Sequence, residues 1–251
     1  MKNLAMFFAA ALLMVSAASC TDWFPLKILS GNGVSVEQEL DVHDFTAIEI
    51  LGSMDVYYTQ GPESVTLTAD ENLMEYYSIT EVSGNLVVTS KKGCILSPKA
   101  KTFLAVSAPD LSRVIILGSG DCELRGDFQT EGDFSFTLGG SGDLETGRVS
   151  CKDFSANITG SGDIEVKALV ATTAGFTLSG SGDIEVGALT SETTKVKITG
   201  SGDADIVCCD AGDITVSLTG SGDVRLTGTA KSLDAKATGS GKVYRDGLAL
   251  Q

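Results

Sequence analysis

The four-residue phrase Gly-Ser-Gly-Asp begins at Gly118, Gly140, Gly160, Gly180, Gly200 and Gly220, and a last copy at Gly239 reads Gly-Ser-Gly-Lys. The steps are 22, 20, 20, 20, 20 and 19 residues. A fixed period of this length marks a stacked repeat, in which each unit is too small to bury its own apolar face and must lean on its neighbours. The residues around the phrase identify the unit. Six, four and two positions before the first Gly stand Phe134/Phe136/Leu138, Phe154/Ala156/Ile158, Ala174/Phe176/Leu178, Thr194/Val196/Ile198 and Ile214/Val216/Leu218. Four and six positions after it stand Leu144/Thr146, Ile164/Val166, Ile184/Val186, Ala204/Ile206 and Val224/Leu226. Strict alternation of this kind describes strands with one buried face.

A third inward position, nine after the first Gly, reads Val149, Leu169, Leu189 and Cys209. Each coil thus offers about six inward residues from two or three short strands separated by turns. Stacking coils in parallel places like above like at roughly 4.8 Å. The expected fold is all-β: a right-handed parallel β-helix, or β-solenoid, with about 20 residues per coil. An antiparallel β meander of Gly-rich hairpins explains the same turn composition and stands as the alternative. The register points Cys122 and Cys209 inward and Cys208 outward, and sets Cys151 at a turn.

Residues 113-245 carry the regular solenoid, and residues 246-251 read as a C-terminal tail. Residues 28-112 form an N-terminal β region with degenerate repeats. There Gly52-Ser53-Met54-Asp55 is a worn copy of the phrase, flanked by Ile48 and Ile50 before and Val56 and Tyr58 after. It lies 66 residues before Gly118, a spacing that places it about three coils away. Ser64–Thr68, Leu86–Thr89 and Phe103–Val106 read as strands, and Glu71–Tyr77 as a short helical excursion on the surface.

Lys2 precedes an apolar run from Leu4 to Val15, and Ala17-Ala18-Ser19 leads into Cys20. Residues 1-19 read as a lipoprotein signal peptide, Cys20 as the lipidated residue, and residues 20-27 as a tether. No other apolar run reaches the ~20 residues of a membrane helix, so the membrane is met through the lipid anchor. The chain carries 18 Lys+Arg against 33 Asp+Glu, a net charge of −15. That balance argues against nucleic acid and against charge-driven binding to anionic lipid. His43 is the only histidine and no Cys-x-x-Cys occurs, so zinc and haem have no ligand set. With Cys20 lipidated, five cysteines remain, an odd number that cannot all pair within one chain.

Stacking places Asp121, Asp143, Asp163, Asp183, Asp203 and Asp223 in a column. Neighbouring carboxylates about 5 Å apart repel by roughly 1 kcal/mol even at the dielectric of water. Ca²⁺ held between them would relieve the repulsion. So would a turn in which each Asp accepts its own turn's N–H groups, and this needs no cofactor. The glycines serve either positive φ or close packing between coils. No helix follows any copy, so the phrase is not a phosphate loop. Catalysis by paired Asp is not expected: cationic residues are scattered, and Phe128 is the one aromatic outside the inward rows between Gly118 and Gly239.

The chain resembles the head GIN domain family of auto-transporter adhesins over about residues 32-245. The resemblance rests on Gly31-Asn32-Gly33, Asp44-Phe45-Thr46-Ala47-Ile48, Asp55-Val56-Tyr57-Tyr58-Thr59-Gln60-Gly61, Ala108-Pro109-Asp110-Leu111 leading into Gly118-Ser119-Gly120-Asp121, and Gly239-Ser240-Gly241-Lys242-Val243. It implies a β-helical lipoprotein of the envelope of Gram-negative gut bacteria, with no catalytic residues to carry over. The expected function is therefore non-enzymatic: an outer-membrane, adhesin-like solenoid binding a protein or glycan partner. The alternatives are a carbohydrate-active or glycan-binding β-helix and a self-associating envelope scaffold, a homo-oligomer joined through solenoid ends or an apolar flank.

Overall fold

The computed structural model describes residues 27–251. The stretches read above as signal peptide and tether, with Cys20, lie outside the described residues as far as Leu26. The N-terminal strands are β1 (Lys27–Ser30), β2 (Ser35–Glu39), β3 (Ala47–Ile50), β4 (Asp55–Gln60) and β5 (Ser64–Asp70). A 3₁₀ turn, Glu71–Tyr76, precedes β6 (Tyr77–Val82), β7 (Asn85–Ser90), β8 (Cys94–Ser97) and β9 (Phe103–Ala108). Then come β10 (Arg113–Ile116), β11 (Cys122–Arg125), β12 (Phe128–Gln129) and β13 (Phe134–Leu138). Long strands complete the chain: β14 (Leu144–Ile158), β15 (Ile164–Leu178), β16 (Ile184–Gly200), β17 (Ala204–Gly220), β18 (Val224–Gly239) and β19 (Val243–Leu250).

From β10 onward every pairing between coils is parallel and almost in the register of the repeat. Phe136 pairs Ala156, which pairs Phe176, then Val196, then Val216. The chain is a β-solenoid of about seven turns with about 20 residues per turn. The antiparallel meander is excluded for this region. The separate short strands expected within a coil run together instead, because hydrogen bonding to the next coil continues through the bends. Only the Gly-Ser-Gly-Asp corner breaks the strand. Residues 246-251, expected as a tail, are mostly strand, since β19 pairs β18 as far as Leu250.

The worn copy at Gly52 is the immediate neighbour of Gly118, not three coils away. β3 pairs β10 through Ile48↔Val114, and β4 pairs β11 through Val56↔Cys122. The 65 intervening residues do not add coils between them. They form a coil on the other flank, where β7 and β9 pair β3 and β4 in parallel. The spatial order of coils is therefore 85–108, then 47–60, then 113–129, and sequence order thereafter.

This end is closed by antiparallel strands. β6 covers β7, β5 covers β9, and β2 covers β5. The covering occupies backbone groups that an edge strand would otherwise offer to another chain. The opposite end is uncovered: among the described residues no strand pairs the far side of Ser232–Gly239 of β18, because β19 pairs only the stretch Val224–Ala230.

The inward rows form one apolar column. An aromatic series runs down it, Tyr58–Phe128–Phe134–Phe136–Phe154–Phe176, with successive ring centroids 6.0, 4.6, 4.8, 5.6 and 5.7 Å apart. Such tilted and edge-to-face contacts add to the burial term. Phe128 thus belongs to the interior; it pairs Val149 and heads the row that continues through Leu169 and Leu189. The next member of that row is Cys208, not Cys209. A bulge shifts the register on both sides of Leu189, so Cys208 is buried and Cys209 exposed. The displaced residue is accommodated at Asp210, whose φ is +70°. Cys151 also departs from expectation: it lies within β14, half-buried, opposite Ala171.

Candidate functional site

The repeated corner is built from two bonds that climb from coil to coil. The Ser N–H donates to the first Gly carbonyl of the preceding coil, as in Ser161 to Gly140 at 3.0 Å and Ser221 to Gly200 at 2.9 Å. The Asp N–H donates to Oδ1 of the preceding coil's Asp. The series runs Asp143→Asp121 at 2.9 Å, Asp163→Asp143 at 2.9 Å, and Asp183→Asp163, Asp203→Asp183 and Asp223→Asp203 at 2.7 Å. Asp55 starts the column by accepting from Asp121, and Lys242 ends it by donating to Asp223. The six aspartates therefore do share a column, but each carboxylate closes the next coil's corner and not its own turn. The coils stack so closely that the neighbouring N–H lies nearer than any in the same turn.

That closeness also explains the glycines. A Cβ on Gly140, Gly160 or Gly180 would run into the carbonyl of the equivalent Gly in the coil before. Close approach is thus the requirement at the corner, and positive φ appears there only at Gly200, Gly220 and Gly239.

The strand after the corner carries a second carboxylate row. Two residues beyond each Asp, Glu123, Glu145, Glu165, Glu185 and Asp205 pair in succession. Their signal lay in the sequence as an acid at a constant offset from the phrase. Each end of the row is closed by an arginine stacked on a tyrosine. Arg125 lies 3.0 Å from Glu123 and 3.7 Å from the Tyr57 ring centre, and Arg225 lies 3.0 Å from Asp205 and 5.7 Å from that of Tyr244. Among the described residues no group of three or more His, Cys, Asp or Glu converges as a metal site would require. Ca²⁺ takes six to eight oxygens, whereas one oxygen of each Asp in the column is already engaged.

The strand before the corner shows a different chemistry. Its outward rows are Asp153–Thr173–Thr193, with Asp133 one residue ahead of β13 on the same side, and Ser135–Ser155–Gly175–Lys195. Between them runs a groove of about 460 Å³ that spans several coils. It exists because Ser135, Ser155 and Gly175 are too small to fill the space beside Asp153 and Thr173. Thr173 Oγ1 donates to Asp153 Oδ1 at 2.5 Å, which fixes that wall. The groove has carboxylates toward one end, Lys195 at the other and hydroxyls between, a set able to hydrogen-bond a polyhydroxylated chain. The corner column repeats its Asp from coil to coil, whereas the groove's own acids are Asp133 and Asp153, with Thr173 and Thr193 in their places further along.

Cys122, Cys151 and Cys208 belong to the packing. Burial, reinforced by Glu123 and Asp121, pushes the Cys122 thiol up to about 12. Burial likewise raises Cys151, with Asp153 and Asp133 beside it, and Cys208, beside Cys209, each to about 11. Thiols held protonated are poor nucleophiles and poor metal ligands.

One more site lay outside the repeat. Asp70, at the end of β5, is buried, and its carboxylate accepts the backbone N–H of Gly33 at 2.5 Å, Lys99 at 2.8 Å and Ala100 at 3.0 Å. Burial alone would raise its pKa; these bonds and the nearby Lys99 charge outweigh that and hold it below the usual carboxylate value. Gly31 has no room for a Cβ against this carboxylate, and Gly33 sits at φ +80°. The Gly31-Asn32-Gly33 stretch is the loop that wraps Asp70.

A family model described as "Putative auto-transporter adhesin, head GIN domain" matches residues 44–210. Similar solved structures include a putative adhesin from Bacteroides fragilis, 19% identical with a TM-score of 0.70 over 86% of this chain and 99% of that one. A putative lipid binding protein from Parabacteroides distasonis is 22% identical with a TM-score of 0.73, over 87% and 99%. A putative adhesin from Parabacteroides merdae is 23% identical with a TM-score of 0.66, over 86% and 98%. At these identities the likeness carries the fold. No curated protein matches the chain.

Proposed function

The chain belongs to the head GIN domain family of auto-transporter adhesins, and from that premise we propose that it is a non-enzymatic, adhesin-like protein held at the cell envelope. Its ligand is a glycan, bound along the stack by the groove over Ser135, Ser155 and Gly175. The observation that carries this reading is the groove itself: hydroxyls and carboxylates repeated at the coil spacing, without convergent acid–base machinery. Each coil contributes little, and affinity comes from simultaneous contacts along the ligand.

The test is a glycan array, with pull-down from envelope and host extracts, using the chain from Thr21 onward. Ser155→Trp fills the groove from an outward position, so binding is lost while the melting temperature holds. Binding that survives this substitution, or binding only to protein, overturns the glycan reading. The same melts, with Ca²⁺ and with chelator, test the Asp column for cations: a rise with Ca²⁺ assigns it one, and no change removes that assignment.

Attachment through an acyl group on Cys20 is part of the proposal. It is supported by Ala17-Ala18-Ser19 before that cysteine, and no helix among the described residues is long and apolar enough to cross a membrane. Cys20→Ala should move the protein from the outer-membrane fraction to the soluble fraction, and retention in the membrane would overturn it.

A further inference from the structure

The closed end of the solenoid carries a second hollow, of about 460 Å³, between β2, β5, the 3₁₀ turn and β6. Its apolar lining comes from Leu40, Leu67, Met74, Tyr77 and Ile79, of which all but Leu67 are only half-buried. Gln38, Glu71, Asn72 and Glu75 stand around it, exposed. Half-buried apolar side chains around a cavity of this size form the kind of surface that binds a small apolar group.

The path of the chain says what lies within reach. Lys27 donates its N–H to the Gly93 carbonyl and sets its ammonium 5.7 Å from the centre of the ring of Tyr76, which stands in sequence between Glu75 and Tyr77 of the lining. Immediately before it comes Thr21-Asp22-Trp23-Phe24-Pro25-Leu26, an apolar cluster holding the only tryptophan of the chain. Trp23 is four residues from Lys27, a reach of about 14 Å at full extension. Two acids at the hollow, Glu71 and Glu75, disfavour an anionic lipid headgroup.

We propose that Trp23, with Phe24 and Leu26, docks in this hollow and latches the segment after Cys20 to the head. If Cys20 is lipidated, as proposed above, the free leash shrinks to Thr21-Asp22, and the closed end of the solenoid is held against the membrane. The latch itself does not depend on lipidation.

Trp23 is its own reporter. In the chain from Thr21 to Gln251, which retains every described residue, its emission should be blue-shifted and its acrylamide quenching several-fold weaker than in the free peptide Thr21–Leu26. Met74→Glu should return both to the peptide values with the β circular dichroism unchanged. Should that variant unfold, the wild-type chain still decides the matter, because a docked indole gives nuclear Overhauser contacts to the Met74 and Ile79 methyl groups. Emission and quenching equal to the free peptide, or the absence of those contacts, overturns the latch. Occupation of the hollow by added fatty acid or by a second copy while Trp23 stays exposed overturns it equally.

Discussion

The stack from β13 to β18 and the end built from β1 to β9 share one core but are held by different means. In the stack, stability is distributed: each coil repeats the same close glycine contact, the same Asp-to-Asp bond and the same inward rows. At the closed end, chain segments far apart in sequence meet around one buried carboxylate. Gly33, Lys99 and Ala100 all give their N–H to Asp70, joining the loop after β1, the end of β5 and the approach to β9. A repeat tolerates the loss of one bond because its neighbours are equivalent. A hub does not.

The sharpest way to break this comparison is therefore Asp70→Ala. It strands three inward-facing N–H groups, and the expected result is loss of the closed end: fast hydrogen exchange at β2, β5 and β9 with protection retained in β15 to β17. Uniform exchange across the molecule would mean that the two regions are one cooperative unit. The same carboxylate sets a pH dependence. Its folded pKa is below the ordinary value of 3.8, so its stabilisation is complete above that value and lost as pH falls through the folded one. Protection at the closed end should drop on acidification before that of the stack.

The glycines give the next largest effect, and they separate the regions at one motif position. In Gly160→Ala the new methyl meets the Gly140 backbone, whereas Gly52 has nothing within 4 Å of the equivalent point. The first substitution should cost about 3 kcal/mol, at the upper end for overpacking. Gly52→Ala should be neutral or stabilising by about 0.5 kcal/mol, through the lower entropy of the unfolded chain. Equal melting temperatures for the two variants would show that the coils relax around the methyl.

These contrasts track what the sequence made legible. The period, the inward rows and the parallel stacking followed from spacing, because each coil repeats its neighbour. The position of the Gly52 coil did not, since pairing across 66 residues leaves no local trace. Cys208 and Cys209 exchanged places because the register slips by one residue at Leu189 and returns by Ser191, which leaves the 20-residue step from Gly200 to Gly220 unchanged and so gives no sign in the spacing. The Asp column was foreseen, but the direction of its bonds depends on the distance between coils. Asp70 sits outside the repeat, announced only by a loop with glycine at two positions.

Smaller effects follow within the stack. Thr146 occupies an inward row between Leu124 and Val166, and among the described residues its hydroxyl is the one buried side-chain group without a hydrogen-bond partner. Thr146→Val keeps the shape and removes the stranded hydroxyl, so it should stabilise by about 1 kcal/mol, roughly 2–4 °C in melting temperature. Thr194→Val should do the reverse. Thr194 and Ser191 are buried and bonded to each other at 2.7 Å, and the substitution would leave Ser191 alone.

The smallest expected effect bears most directly on the recurring corner. Asp163 accepts from Asp183 and stands between two other carboxylates, so it carries one favourable bond and two repulsions of about 1 kcal/mol or less each in water. Asp163→Asn retains an acceptor oxygen and removes the charge; Asp163→Ala removes both. The two variants have equal net charge, so the difference in their melting temperatures isolates the bond, expected at no more than about 1 kcal/mol at a solvent-facing corner. Asn should match or exceed the wild type at low salt, with the gain shrinking as ionic strength rises. If Asn and Ala melt together at every salt concentration, the carboxylate column contributes nothing to holding the coils. The stack then rests on its inward rows and glycine contacts alone.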